Sequence, residues 1–262
     1  MMNKAASKLI NAWRGLQIGK PPYILDGDEI IQDIGLCHPY SNFHEYIGSK
    51  EFGNELPKMF HTGLLPVPYS GNIIRASIYI LGLNPGFGPL NYYEETFDKK
   101  FRQESTCQLK QMQLNHKYPW PWLNPVFSWT GGGKYWTRKL REIINKVAEQ
   151  KQQIFVDAMK SLSKRIATLE FVPYHSKSYS LPRKIVKQMN SPELMRNFVY
   201  EYVVPRVIRG EAIVVVLRHG EVWDLPMHNN IIIYKPPATR AAHLSLKSKG
   251  GKAIFDWTGK NK

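Results

Sequence analysis

The sequence predicts an α/β protein, a three-layer α/β/α sandwich around a four-stranded parallel sheet. Three observations carry that expectation. Four short runs, residues 74–83, 168–173, 212–217 and 230–234, are rich in Ile, Val or Phe and largely lack the in–out alternation of a half-exposed strand. Helical patterns lie between them, at residues 135–162 and 191–204. The chain has 262 residues and is 43% hydrophobic, enough to bury a substantial core in one large domain or two small ones.

Residues 1–20 carry a basic start but no long apolar run and no clear cleavage site. They read as an amphipathic helix rather than a signal peptide. With Trp13, Pro21-Pro22 and the Cys37-His38-Pro39-Tyr40 stretch, residues 1–70 are expected to form an arm or cap, and residues 71–262 the main domain. The first strand stops at Gly82-Leu83-Asn84-Pro85-Gly86. A long aromatic insertion, residues 97–133, ends in PWPWLNPVFSWTGGG and leads into the first long helix. Ser191-Pro192 is a good helix start, with Ser as N-cap and Pro at the first position. The closing GGKAIFDWTGKNK reads as a short strand or a mobile end.

Every apolar run stays far below the roughly 20 residues that span a bilayer, so no membrane partner is expected. Two cysteines, Cys37 and Cys107, make no disulfide framework and no zinc or iron–sulfur set. The setting expected from them is a reducing cytoplasm. The eight histidines show no H-E-x-x-H and no H-x-E with C-x-x-C, and no phosphate-binding G-x-x-x-x-G-K-[ST] occurs. No metal and no cofactor is therefore expected. Charge points to a partner. Lys and Arg number 36 against 21 acidic residues, a net +15, and a chain this basic commonly meets a polyanion. The cations form local clusters at residues 99–102, 134–141, 177–187 and 240–252, as on a folded surface rather than a basic tail. DNA or RNA is the expected partner, and the chain is expected to act as a monomer.

In open parallel sheets, ligands sit at the carboxyl ends of the strands. All four runs end in distinctive residues: the Asn84 turn, Val172-Pro173-Tyr174-His175-Ser176, Leu217-Arg218-His219-Gly220, and Tyr234-Lys235-Pro236-Pro237-Ala238-Thr239-Arg240. The strand followed by Gly82-Leu83-Asn84-Pro85-Gly86 resembles the first motif of the uracil-DNA glycosylase superfamily, nearest its mismatch-specific uracil/thymine and single-strand-selective branches. KPPATRAAHLS stands where that superfamily carries a Pro/Ser-rich loop that wedges into DNA. WLNPVFSWTGGGKYWTRKLR is similar to bacterial members. The resemblance covers roughly residues 74–244. It implies a uracil-DNA glycosylase-like fold and a monofunctional DNA glycosylase acting on uracil, mismatched thymine or a modified pyrimidine, in repair or in defence against phage DNA.

Hydrolysis of an N-glycosidic bond needs a placed water, a held base and stabilised negative charge. Asn84 suits the first need: its amide oxygen accepts from a water, and its amide nitrogen is open to base or sugar. Pro85 fixes the turn, while Gly82 and Gly86 allow close backbone approach. Phe87 is the natural stacking partner, Tyr92 or Tyr93 a pocket wall, and His175 a contact to base edge or phosphate. Each has a plainer reading beside it. Asn-Pro-Gly is a favourable turn, and the aromatics and His175 suit a core equally well. Lys235 replaces the His of the commonest second motif, His-Pro-Ser-Pro, a departure shared with the mismatch-specific branch. Its charge would stabilise the leaving base or pair with phosphate. Arg240 resembles the side chain that fills the gap left by a flipped nucleotide. Lys134 and Arg138 are expected on the DNA backbone. Arg218 and His219 match no family motif.

Overall fold

The computed structural model describes residues 3–54, 56–239 and 242–260. It is an α/β fold with a five-stranded sheet in the order β1-β3-β2-β4-β5. The strands are β1 (Tyr69–Ser70), β2 (Ile78–Gly82), β3 (Ile166–Glu170), β4 (Ile213–Val216) and β5 (Ile231–Ile233). β2 and β4 run parallel with Ile78 opposite Ile213, and β4 and β5 run parallel with Val214 opposite Ile231. Ile78 N–H donates to Arg165 O and Val172 N–H to Leu83 O, so β3 runs the same way as β2. Glu170 N–H donates to Pro68 O and Val67 N–H to Pro173 O, so β1 opposes its neighbour.

The sheet is thus five-stranded and mixed, where the sequence suggested four parallel strands. Each of the four expected runs overlaps a strand, though β3 begins two residues before its run. The fifth escaped notice because it is two residues long and follows Pro66 and Pro68, poor ladder formers. Ile78–Leu81 and Ile213–Val216 are buried throughout, which explains their unbroken apolar character.

The chain divides into two compact units. The first comprises Met1–Tyr69, Leu83–Gln113 and Glu170–Val199; the second comprises Ser70–Gly82, Leu114–Leu169 and Tyr200–Lys262. Residues 1–69 thus share a unit with two later segments.

The second unit holds the larger core. Ile78, Ile80, Ile213 and Val215 pack with Leu140, Ile143, Ile144 and Val147 of the helix Gly131–Gln150. Fully burying each such side chain stabilises by about 1.5–3 kcal/mol. The aromatic stretch before that helix belongs to this core. Trp120 and Leu123 are fully buried, and Trp120 packs edge-on to Trp136. Trp120 Nε1–H donates to Thr168 Oγ1 at 3.3 Å. The helix starts under Thr130, whose Oγ1 accepts from Gly133 N–H. A Cβ on Gly132 would lie 2.6 Å from the Trp122 ring, and one on Gly133 would lie 2.1 Å from Phe127 O. Gly132 and Gly133 are a packing requirement.

The closing segment is a helix over Lys249–Lys260 rather than a strand, and residues 261 and 262 lie outside the described residues. Its glycines disguised it. A Cβ on Gly250 would meet Val215 Cγ1 at 2.7 Å, so the helix can lie against β4 only with glycine there.

In the first unit, Asn3 Oδ1 caps the helix Lys4–Gly15, which buries Ala5, Ala6, Leu9, Ile10 and Trp13 on one face. The helix Asn190–Phe198 is capped differently from the sequence expectation. It begins before Ser191, and Ser191 N–H donates to Asp28 Oδ1 at 3.0 Å. A buried carboxylate distant in sequence does the work assigned to a local Ser. Asp28 Oδ2 also accepts from Tyr174 OH at 2.6 Å.

Candidate functional site

The turn after β2 is held by its own asparagine. Asn84 Nδ2–H donates to Ser176 Oγ at 2.8 Å, to Pro85 O at 3.0 Å and to Tyr174 O at 3.4 Å. Ser176 Oγ–H donates onward to Ser178 O, and Gly86 and Ser176 form a parallel bridge. The amide nitrogen is therefore spent on the protein frame, not open to base or sugar as the sequence allowed. The amide oxygen accepts no hydrogen bond among the described residues. With the nitrogen locked, Oδ1 is a fixed acceptor at a half-buried position.

Behind the turn lies a stack of flat rings. Phe87 and His61 are 3.4 Å apart at 10°, His61 and His38 are 4.2 Å apart at 26°, and His38 and Tyr40 are 5.6 Å apart at 21°. Tyr92 presents its ring at 72° to Phe87, stacks on Tyr46 at 4.9 Å, and its hydroxyl donates to Tyr40 O. It is fully buried, and burial pushes its phenol pKa up. Tyr93, one position further round the helix Leu90–Phe97, is not part of this wall. It is 42% exposed and packs on Phe43 and Phe97.

His175 is buried, with Nδ1–H donating to Gly86 O at 2.8 Å. Burial lowers its pKa, opposed by the Gly86 and Leu65 carbonyls. His61 is its neighbour: His61 N–H donates to His175 O. Both His61 ring nitrogens are buried without a partner among the described residues. Burial, then His38 and His175, push its pKa far below the ordinary 6.5 and keep it neutral. His38 Nδ1 lies 2.6 Å from Glu51 Oε2. The sequence reading missed His61 and the stacking role of His38. The available signal was the uncharged run from Phe60 to Tyr69, which is almost wholly buried.

Lys235, Lys134 and Arg138 belong to the second unit. The carboxyl ends of β4 and β5 border a cavity of about 690 Å³, whose lining includes Arg218, His219, Glu221, Asp224, Tyr234 and Lys235. Arg218 and His219, unplaced by any motif, thus share a cavity with Lys235. His219 Nδ1 lies 2.8 Å from Glu221 Oε1. Lys134 and Arg138 are exposed, one turn apart on the helix Gly131–Gln150. Lys139, on the same helix, is half-buried, its pKa pushed down to about 8 by burial and by the Arg218 and Arg138 cations. Its ammonium sits 5.0 Å from the Tyr135 ring centre. Arg240 lies outside the described residues.

Among the described residues no group of three or more His, Cys, Asp or Glu is arranged to hold a metal ion, and no helix is long and apolar enough to cross a membrane. Comparison with protein-family models, with curated proteins and with solved structures finds no match.

Proposed function

We propose that this chain is a monofunctional DNA glycosylase of uracil-DNA glycosylase-like fold. The substrate would be uracil, mismatched thymine or a modified pyrimidine in DNA. One observation carries the proposal: Asn84 is clamped through Nδ2, leaving Oδ1 as a fixed acceptor three residues before Phe87, whose ring stacks on His61. In the proposed reaction Oδ1 accepts a hydrogen bond from a water. The water oxygen forms the new bond to C1′ of the sugar. The glycosidic bond breaks, its electron pair leaves with the base nitrogen, and the base takes up a proton as the water loses one. The half-exposed Phe87, backed by His61, is the stacking face for the flipped base. The neutral His61 behind it suits an uncharged ring. Strands β2 to β5, all running one way, support the fold reading, and the net charge of +15 supports a DNA partner.

The test is base release from synthetic single- and double-stranded DNA carrying uracil, mismatched thymine or substituted cytosines, with alkali revealing abasic sites. Wild type is expected to cleave and Asn84→Ala to lose cleavage. A second reading, a binding module of the same fold without catalysis, is favoured by Lys235 standing where the family commonly carries His. Tight, salt-sensitive DNA binding with no base released from any substrate would decide for it.

A further inference from the structure

The cavity at the ends of β4 and β5 is more than a point of phosphate contact. Its volume, about 690 Å³, sits within the roughly 300–1,000 Å³ of small-molecule sites and far exceeds one phosphate group. Its wall combines three chemistries: the cations Arg218 and Lys235, the carboxylates Glu221 and Asp224, and apolar side chains such as Leu225 and Ile233.

The backbone carrying these groups is tightly determined. His219 and Asp224 both hold left-handed φ angles, 48° and 49°, which non-glycine residues rarely adopt. They bracket the one-turn helix Gly220–Trp223, anchored by the fully buried Trp223. Gly220 lies so close to β5 that a Cβ would fall 2.3 Å from Ile233 Cγ2. Sparsely populated backbone held in place by its surroundings gathers at binding sites, and the carboxyl ends of parallel strands are where ligands bind. The crowding of Lys139 by Arg218 and Arg138 adds a positive field that an anion would relieve.

We infer that this cavity binds a nucleoside phosphate. The phosphate pairs with Arg218 and Lys235, the ring lies on the Leu225–Ile233 wall, and Glu221 or Asp224 accepts from sugar hydroxyls or a base amino group. The ligand is a free mononucleotide or one unit of a strand. The inference does not rest on the Asn84 reading.

Calorimetric titration of the full chain tests it, using deoxyuridine monophosphate, deoxyuridine, inorganic phosphate and a thymidine trinucleotide as probes. The expected result is saturable nucleotide binding that weakens about tenfold or more in Arg218→Gln and in Lys235→Gln. Deoxyuridine and phosphate should each bind about tenfold or more weakly than the intact nucleotide. Asn84→Ala should bind like wild type, which separates this cavity from the glycosylase reading. Equal affinity for monomer and trinucleotide assigns a free nucleotide; a much tighter trinucleotide assigns a strand. Either result supports the inference. Both charge variants alter exposed side chains, and unchanged thermal melts verify their folding. No binding at millimolar concentration, phosphate binding as tightly as nucleotide, or variants binding like wild type would overturn it. So would loss of binding in Asn84→Ala with retention in Arg218→Gln.

Discussion

Around Asn84 the polar groups are turned inward and settled, whereas around Arg218 they are exposed and crowded. Asn84, Ser176 and His175 spend their donors on one another and on nearby carbonyls, and the flanking His61 is held neutral. Arg218, Arg138 and Lys139 instead oppose one another, so that Lys139 loses part of its hold on a proton. The first region fixes geometry without charge, and the second supplies charge on an open surface. A short-range step such as placing a water draws on the former. Attraction of a polyanion draws on the latter.

The largest effect expected from this contrast is on base release. Asn84→Ala should slow single-turnover release by about 100-fold or more while DNA affinity stays within about twofold. Arg218→Gln should do the reverse. Equal losses of rate and affinity in either variant would break the contrast. Salt dependence comes next. Arg218→Gln and Lys235→Gln should each lower the slope of log affinity against log salt by about 1, whereas Phe87→Ala should leave that slope unchanged.

A smaller effect is expected from pH. Lys139 titrates near 8, so its charge is present below that value and lost above it. DNA affinity should fall about threefold between pH 7 and 9, and Lys139→Met should flatten the profile. A wild-type profile as flat as that of the variant would remove Lys139 from the binding surface.

The smallest effect concerns stability. The folded pKa of His61 lies below its unfolded value of about 6.5. Its neutral form therefore contributes stability that is present above pH 6.5 and lost as pH falls below it. His61→Phe keeps a flat ring in the stack and removes two unsatisfied nitrogens. It should reduce the acid loss, measured as melting temperature at pH 5 against pH 7.5, on the order of 1 kcal/mol. An unchanged acid loss would show that His61 is not the titrating group.

The strands were legible because parallel strands buried on both faces must be apolar throughout, and the residues of β2 and β4 are so. The turn at Asn84 was legible because Pro and Gly punctuate the chain there. What stayed hidden depended on partners far away in sequence. Ser191 looked like a cap, but Asp28 took its N–H. Tyr92 and Tyr93 are equivalent as letters, and only the helix phase separates a buried ring from an exposed one. The PWPWLNP stretch read as the end of an aromatic insertion, yet Trp120 fills the core with the helix Gly131–Gln150. Glycines at 250 and 251 masked a helix because their purpose, close approach to neighbouring backbone and to β4, is a tertiary one.

Each unit is stitched from three separate stretches of chain, and this shapes the protein's birth on the ribosome. The first unit cannot close until residues 170–199 have emerged. The central strand β2 is made early, but its partner β4 at Ile213–Val216 follows more than a hundred residues later. At typical synthesis rates that interval is on the order of ten seconds. Throughout it, Ile-Tyr-Ile-Leu stands with an unpaired edge, the kind of segment that recruits other nascent strands. Chaperone supply and translation speed should therefore govern the soluble yield of this chain, and neither unit can be cut out as a continuous fragment.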